Sequence, residues 1–325
     1  MKFIIPNYRT PDSFVDNVAH TLEKMGHDVK TMPKAKNSFI DNRINHLFTI
    51  VNSMANPVYR TKQEKWLDNE LNRSKFDVLF TLTQALPAEL LFKSKQKGIV
   101  NVTWWGDPPA NMKKYGLLVR GWDKIYIKDG NASRKLKGLG FDAELMHEAM
   151  NPDWHAPLYK SINNKVIVAG SFYDYRNYLV TEMLKNNVEF GLYGRKLPSW
   201  ASDEVKQNHT NAFIVREEKS LLFGEGLACL NSTSMAEANS LNCRAFEIAG
   251  AEGLQFFEYR SCIEQCFDID KELKVFSSVD EVLELVDWAK KYPDEAMKVR
   301  KGGRKRALAQ HTYKHRLQKI IKDIT

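Results

Sequence analysis

Apolar and polar positions alternate along residues 1–150 in blocks that predict strands separated by helices. Short runs of β-branched and aromatic residues predict strands, and longer stretches with apolar residues three and four apart predict helices. The first such helix, over residues 12–25, places Phe14 and Leu22 on one side, and Gly26 ends it. Predicted strands cover residues 2–6, 27–32, 76–80, 98–104, 124–127 and 143–146, with helices at 88–96 and 132–136.

The same alternation returns after a polar boundary near Asn151-Pro152. Strands are predicted at 165–169, 188–193, 227–231 and 254–257, and helices at 175–185, 216–223, 243–249, 279–290 and 295–310. This order predicts an α/β protein with two Rossmann-like domains, at 1–152 and 153–325. The last helix is a candidate to return to the N-terminal domain. Parallel sheets of this kind bind ligands at the carboxyl ends of their strands, so we expect a central cleft between the domains.

Residues 34–66 interrupt the rhythm of the first domain with a long polar and aromatic stretch. An insertion of this size on an α/β domain is usually functional. We therefore predict that it contributes to binding.

Composition limits the classes of protein that fit. The chain has 325 residues, of which 43% are hydrophobic and 27% charged, as in folded soluble proteins. No run approaches the roughly 18 apolar residues of a spanning helix. The four cysteines lack paired spacing and predict reduced thiols. We expect a cytoplasmic, monomeric protein without a membrane partner.

The positive charge is concentrated in one half. Residues 1–150 hold 23 Lys and Arg against 16 Asp and Glu, a net charge of +7, whereas residues 151–325 hold 25 against 24. A basic N-terminal domain favours a polyanionic partner such as DNA. A soluble basic protein without a charged partner has the same composition, so charge alone leaves both interpretations open.

Two segments of the second half have chemistry suited to a nucleotide. Gly170-Ser171 follows a strand and precedes a helix that carries Arg176, so free helix N–H groups and a planar cation could hold phosphate. Arg244 and Glu247 share one helix face, where the arginine suits phosphate and the carboxylate suits ribose hydroxyls. A tight turn and a surface ion pair are the structural alternatives.

These segments, together with Tyr193-Gly194, occur in the order found in the donor-binding domain of GT-B glycosyltransferases. The sequence resembles the group-1 transferases, including the CgeB-like proteins, and is more similar to the bacteriophage DNA β-glucosyltransferases. The likeness covers most of residues 165–260 and the N-terminal half only in outline. It implies a GT-B fold and a UDP-sugar donor, with glucose and arabinose both open. The donor residues it implies are Gly170, Ser171, Arg176, Tyr193, Gly194, Ile214, Val215, Arg244 and Glu247.

One departure from the group-1 pattern concerns stereochemistry. Retaining group-1 enzymes carry a second glutamate eight residues before the ribose one, where this sequence has Asn239. The resemblance therefore favours an inverting reaction. No cluster of metal ligands is evident in the sequence, although a divalent metal such as Mg or Mn could assist phosphate release.

The catalytic candidate is Asp107, which follows a predicted strand in the segment Trp104-Trp105-Gly106-Asp107-Pro108. The resemblance places a general base there, and an inverting transfer needs one carboxylate to take the acceptor proton. The alternative is an Asp-Pro turn that caps a helix. Trp105 is a candidate to stack on the acceptor or to join the core. His147 and Glu148 close the first domain, where they could touch the donor sugar, but a hinge contact is the favoured interpretation.

The predicted function is transfer of a sugar from a UDP-sugar to the hydroxymethyl group of a modified pyrimidine, 5-hydroxymethylcytosine, in phage DNA. Such a modification would protect DNA from host restriction. The alternative is a CgeB-like transferase acting on a surface polysaccharide or protein, and a third hypothesis is a binding protein that no longer transfers sugar. Besides Trp105, the predicted acceptor and DNA contacts are Arg9, Lys34, Lys36, Arg43, Arg60, Lys62, Lys113, Lys114 and Arg120.

Overall fold

The computed structural model describes residues 1–33, 60–109 and 117–325, and within them the strands form two parallel sheets. The N-terminal sheet contains β1 (Lys2–Tyr8), β2 (Asp28–Met32), β3 (Val78–Leu82), β4 (Val100–Trp105), β5 (Lys124–Ile127) and β6 (Ala143–Leu145). Its helices are α1 (Phe14–Lys24), α2 (Lys62–Arg73), α3 (Ala88–Gln96) and α4 (Gly130–Gly138). The strand order is β2-β1-β3-β4-β5-β6, with every described pairing parallel.

The apolar strands of this sheet are buried on both faces, because successive side chains point to opposite sides. Phe3 and Ile5 pack into one core cluster, and Ile4 between them packs into another. Trp104 and Trp105 separate in the same way, to clusters on opposite faces. Helices on both sides of the sheet therefore follow directly from the uninterrupted apolar runs.

The C-terminal sheet has the order β11-β10-β9-β7-β8 and is also parallel. Its strands are β7 (Val166–Ala169), β8 (Phe190–Tyr193), β9 (Ala228–Asn231), β10 (Gln255–Glu258) and β11 (Lys274–Phe276). The helices are α5 (Asp174–Lys185), α6 (Asp203–Asn208), α7 (Arg216–Glu225), α8 (Cys243–Gly250), α9 (Val279–Lys291), α10 (Pro293–Gln310) and α11 (Tyr313–Ile324). The predicted fold class, two Rossmann-like domains, is confirmed.

The last helix, α11, packs on the N-terminal sheet. Tyr313, Leu317 and Ile320 belong to the same buried cluster as the apolar residues of β1, β3 and α1. Thr312 begins the helix with a capping interaction to His315. The chain thus crosses between the domains twice, near residue 150 and again near residue 312, where Met150 and Thr312 form a parallel bridge.

Most predicted elements agree with the observed ones within a few residues, but α6 and β11 are not among the predicted elements. The predicted insertion at 34–66 overlaps an observed helix. Its last residues belong to α2, which Thr61 and Glu64 begin with a capping box. Residues 34–59 lie outside the described part of the chain. None of the helices in the described ranges combines the length and hydropathy that a membrane span requires.

Candidate active site

A cavity of about 820 Å³ lies between the carboxyl ends of the two sheets. The N-terminal domain contributes Asp107, Lys128 and Glu148 to its walls, and the C-terminal domain contributes Arg176 and Arg244. Each of these side chains follows a strand or begins a helix, which is where parallel α/β sheets collect their ligands. We call this cavity the cleft.

Two predicted donor residues, Gly170 and Gly194, follow the neighbouring strands β7 and β8 and pack closely against each other. Gly170 has φ of +143°, and a Cβ at this position would collide with the guanidinium of Arg244. A Cβ at Gly194 would strike the carbonyl oxygen of Gly170, and the Gly170 N–H donates to Tyr193 O at 2.9 Å. A side chain at Gly170 would therefore displace Arg244, and one at Gly194 would displace the backbone of Gly170.

The two predicted phosphate-binding arginines have different environments. Arg176 is buried, and its guanidinium donates to Ser171 O at 2.7 Å, to Ser232 Oγ at 3.1 Å and to Ser232 O. The guanidinium carbon of Arg176 lies 4.5 Å from the centre of the Tyr173 ring. Because three of its five N–H groups are already used, Arg176 mainly fixes the loop after β7 and leaves two donors for a ligand.

Arg244 is the more available cation. It lies at the start of α8, lines the cleft and leaves its buried Nε without a hydrogen-bond partner. Its Nε is 3.8 Å from Glu247 Oε2, too far for a hydrogen bond. Asn242 caps the helix through Ala245 N–H, so the earlier N–H groups of α8 stay open toward the cleft. This end of the helix suits an anion.

Glu247, the predicted ribose ligand, is buried in an ionic cluster that joins the domains. We call Asp12, His155, Lys219 and Glu247 the lock cluster. Lys219 Nζ lies 2.6 Å from Asp12 Oδ2 and 2.8 Å from Glu247 Oε2, and His155 Nε2 lies 3.8 Å from an oxygen of each carboxylate. Although burial opposes ionisation, Lys219, His155 and Arg244 lower the pKa of Glu247 to about 2. Ribose binding by Glu247 stays a prediction.

The remaining predicted donor residues lie beside β8. Tyr193 ends that strand, Ile214 packs against its ring in a buried cluster, and Val215 is the N-cap residue of α7. The next residue, Arg216, donates its N–H to Asp12 Oδ2 at 3.0 Å, and its side chain pairs with Asp16. The segment thus lies near the predicted nucleotide site and is also part of the domain contact.

A second ionic group faces the cleft itself. We call Asp107, Lys128, Glu148 and Glu237 the cleft cluster. Lys128 Nζ is 2.5 Å from Glu237 Oε1, an ion pair between the two domains. Partial burial raises the pKa of Asp107, which Lys128 opposes and Glu237 reinforces. Burial also raises the pKa of Glu148, to about 7, with Lys128 opposing and Asp107 contributing.

Sequence reasoning missed two members of this cluster and undervalued a third. Glu237 comes from an irregular loop after β9 and Lys128 from the end of β5, positions with no motif to mark them. Glu148, for which a hinge contact was favoured over a contact with the donor sugar, lines the cavity. The signal for both Lys128 and Glu148 was a charged residue just after a parallel strand. Asn239 lies apart, accepting from Cys262 N–H at 3.0 Å at the start of a 3-10 helix.

Several predicted acceptor contacts are buried or paired in the structure. Trp105 is 4% exposed within an apolar cluster, so its ring has no free face for stacking. Arg9 is bonded to Asp16 and Glu23, and Arg60 is paired with Asp68 and Glu89, so neither is a free cation.

Lys62 and Arg120 are exposed, and their DNA contacts stay predictions. The other predicted contacts lie outside the described residues: Lys34, Lys36, Arg43, Lys113 and Lys114.

One group of described residues has the ligand types of a metal site. Oxygen and nitrogen atoms of Asp12, His155 and Glu247 lie within 4.8 Å of one another. The ammonium of Lys219, 2.6 and 2.8 Å from the two carboxylates, already supplies the positive charge there. These residues therefore do not fit a divalent cation.

Comparisons with known proteins agree with this architecture. Residues 176–322 match the glycosyl transferase-like family, and no curated protein sequence matches the chain with significance. Sucrose-phosphate synthase from Thermosynechococcus elongatus superposes with a TM-score of 0.67 at 9% identity, over 99% of this chain and 98% of that one. Anabaena Alr3699/HepE, solved with UDP and glucose, has a TM-score of 0.62 at 9% identity over 99% of each chain.

The DNA-modifying enzyme β-glucosyltransferase superposes with a TM-score of 0.59 at 13% identity, over 100% of this chain and 99% of that one. Identities this low establish the fold, while the family match covers the domain that holds Arg176 and Arg244. The GT-B fold and the match to the glycosyl transferase-like family together support a nucleotide-sugar glycosyltransferase.

Proposed function

We propose that this protein transfers a sugar from a UDP-sugar to the hydroxymethyl group of a modified pyrimidine, 5-hydroxymethylcytosine, in DNA, with inversion at the anomeric carbon. The observation that carries the proposal is that Asp107 from one domain and Arg244 from the other line a single cavity. A proton acceptor and a phosphate-binding cation thus face each other across a space large enough for a nucleotide sugar.

The donor site is assigned to the C-terminal wall. Arg244 and the open N–H groups of α8 would bind the diphosphate, and Arg176 would hold the Gly170-Ser171 loop against it. As the bond between the sugar and the diphosphate breaks, negative charge grows on the leaving oxygen. Positive groups already in place stabilise that charge without reorganising. The UDP and glucose bound by the Anabaena neighbour support the choice of donor.

Asp107 is assigned the role of base. It would take the proton of the acceptor hydroxyl while that oxygen attacks the anomeric carbon from the side opposite the diphosphate. The electron pair of the broken bond leaves with UDP. The raised pKa of Asp107 makes it a stronger base than an ordinary aspartate.

The acceptor is assigned from charge and fold. The N-terminal half has a net charge of +7, and the DNA-modifying β-glucosyltransferase shares the whole two-domain architecture. A hydroxymethyl group inside a duplex cannot reach Asp107 while its base is stacked, so we expect the base to be flipped into the cleft.

The test is to incubate the protein with 5-hydroxymethylcytosine duplex DNA and a panel of UDP-sugars, and to weigh the digested nucleosides. We expect a mass gain of one sugar, strong inhibition by salt, and little transfer to the free nucleoside. Asp203→Asn, at the exposed start of α6, is the matched control for Asp107→Asn. Transfer that favours a small acceptor at all salt concentrations would contradict the DNA assignment.

The same assay separates the alternative acceptor. The basic N-terminal domain would equally attract an anionic surface polymer. UDP release that anionic polysaccharide stimulates and modified DNA does not would favour the CgeB-like function.

A further inference from the structure

One carboxylate in the cleft has no role in the proposed transfer. Glu148 is 8% exposed, and it lines the cavity. A Cβ placed on Gly106, the residue before Asp107, would lie 3.3 Å from Glu148 Oε1. Glu148 therefore packs directly against the backbone that carries the proposed base.

The carboxylate of Glu148 makes no hydrogen bond or ion pair with any described residue. Buried carboxylates are normally paired, because an unpaired one is costly to ionise. The nearest cation that acts on it, Lys128, is already bonded to Glu237. The group that satisfies Glu148 must therefore be a proton or a molecule in the cleft.

The charges around Glu148 favour a proton. Asp107 follows β4, Glu237 follows β9 and Glu247 belongs to α8, and all three carboxylates act against its ionisation. Tyr313 on α11 and Cys243 on α8 also respond to Glu148, and the pKa of each is raised mainly by burial. Burial and the neighbouring carboxylates raise the pKa of Glu148 to about 7, and Lys128 opposes the rise.

We infer that Glu148 is a second acid–base carboxylate of the cleft, which shares one proton with Asp107 during the transfer. The inference rests on the proposed glycosyl transfer but not on the identity of the acceptor. Two interacting carboxylates titrate as a pair, with apparent pKa values that belong to both.

The proton balance of the step is as follows. The acceptor O–H bond breaks as its oxygen bonds to the anomeric carbon, and the proton enters the pair of carboxylates. The bond from the anomeric carbon to the diphosphate breaks, and its electron pair leaves on UDP. After the products leave, the pair returns the proton to water.

Kinetics give the first test. In Glu148→Gln, we expect kcat to fall at least tenfold and the group titrating near pH 7 to disappear from the profile of kcat against pH. Glu148→Asp should restore part of the rate and a titration in this range. Glu295→Gln, on an exposed turn of α10, is the matched control. Wild-type kcat and an unchanged pH profile in Glu148→Gln would overturn the inference.

A second measurement does not depend on finding the acceptor. The side-chain carboxyl of Glu148 is followed by carbon-13 NMR through a pH titration, and its resonance is assigned by its loss in Glu148→Gln. We expect the pKa of Glu148 to be lower in Asp107→Asn, where a neighbouring charge is gone. An unchanged titration would reject a shared proton. The protein could also be inactive on modified DNA while the pKa of Glu148 falls in Asp107→Asn. That result would contradict the proposed acceptor and still support the pairing of Glu148 with Asp107.

Discussion

The cleft cluster and the lock cluster are built from the same kinds of residue, and both join the two domains. In the lock cluster, one lysine contacts two carboxylates within 2.8 Å, and these three side chains are at most 5% exposed. In the cleft cluster, one lysine bonds a single carboxylate and leaves two others facing the cavity without a partner. Both carboxylates of the lock cluster are neutralised by a lysine, although Asp12 Oδ1 and His155 Nε2 make no hydrogen bond, whereas two carboxylates of the cleft cluster contact no described cation.

The pKa directions express the same difference. Glu247 in the lock cluster has its pKa lowered to about 2, whereas Glu148 in the cleft cluster has its pKa raised to about 7. Both carboxylates are buried, so the sign is set by the balance of charges around each. A carboxylate that the protein leaves unpaired beside a cavity is available for chemistry, and one held by a lysine stabilises the structure.

The largest expected effect is the loss of catalysis when the cleft cluster loses its base. Asp107→Asn keeps the shape of the side chain and removes its ability to accept a proton. We expect kcat to fall by roughly 10²- to 10⁴-fold, the range for a placed general base. UDP-sugar affinity should stay within about twofold, since the donor contacts are assigned to the other wall. Steady-state assays of UDP release measure kcat, and isothermal titration calorimetry with UDP measures affinity at the donor site.

Equal kcat values for Asp107→Asn and the wild type would show that Asp107 is not the base. Thermal unfolding of both proteins is the control for folding, and we expect the midpoint of Asp107→Asn to be unchanged or higher. The reason is that burial and the like charges of Glu148 and Glu237 disfavour an ionised Asp107, and the neutral amide removes this cost.

The next effect concerns stability. Lys219→Met removes the cation from the lock cluster and leaves Asp12 and Glu247 facing each other in a buried site. Breaking a buried ion pair from one side costs about 3–5 kcal/mol, and we expect a loss of this size in the free energy of unfolding. Denaturant titration measures it. Lys185→Met, which removes an exposed ion pair with Glu182, is the matched control and should change little.

Lys128→Met makes this comparison sharper. We expect a smaller loss than in Lys219→Met, because Lys128 bonds only Glu237, and this carboxylate lines the cavity, where it can meet water or take up a proton. Equal losses in the two variants would mean that the clusters do not differ in the way proposed.

The third prediction concerns pH. The pKa of Glu148 rises from 4.5 to about 7 on folding. As pH increases, Glu148 therefore loses its proton at a lower pH in the unfolded chain than in the folded protein. The contribution of Glu148 to stability is complete below pH 4.5 and is lost as pH rises toward 7, by on the order of 3 kcal/mol. We therefore expect Glu148→Gln to exceed the wild type in stability increasingly over this window.

The lock cluster should respond to pH in the opposite direction. The pKa of Glu247 falls from 4.5 to about 2, and burial lowers the pKa of His155 from 6.5 to about 4. Stability from His155 is present above pH 6.5 and is lost as pH falls toward 4, and that from Glu247 is lost between pH 4.5 and 2. Denaturant midpoints measured across pH for the wild type, Glu148→Gln and Glu247→Gln would test both directions.

Much of this fold could be predicted from the sequence because apolar runs in parallel sheets are nearly unbroken. Helix 88–96 and strand 124–127 were placed at their observed bounds. The cleft could be predicted in outline, since Asp107 and Arg244 each follow a recognisable element. The partners of Glu247 could not be predicted, because Asp12 and Lys219 are far apart in sequence and come together only when the domains pack.

Trp105 shows the other limit of the sequence. Adjacent tryptophans at a strand end point to opposite faces, but the sequence does not say that both faces are covered there. Leu117 and Ile127 complete the cover over Trp105.

The smallest expected effect tests a position that belongs to neither cluster. Asn239 stands where retaining group-1 enzymes carry a glutamate, yet its side chain accepts from Cys262 N–H and bonds Ser261. Asn239→Asp can keep these acceptor contacts, so we expect kcat within about twofold of the wild type, while Asn239→Ala should lose about 1 kcal/mol of stability through the missing hydrogen bonds. The anomeric configuration of the product, read from its proton NMR couplings, should stay inverted in both variants. A switch to the retained anomer in Asn239→Asp would place residue 239 beside the sugar and contradict the separation of this position from the cleft cluster.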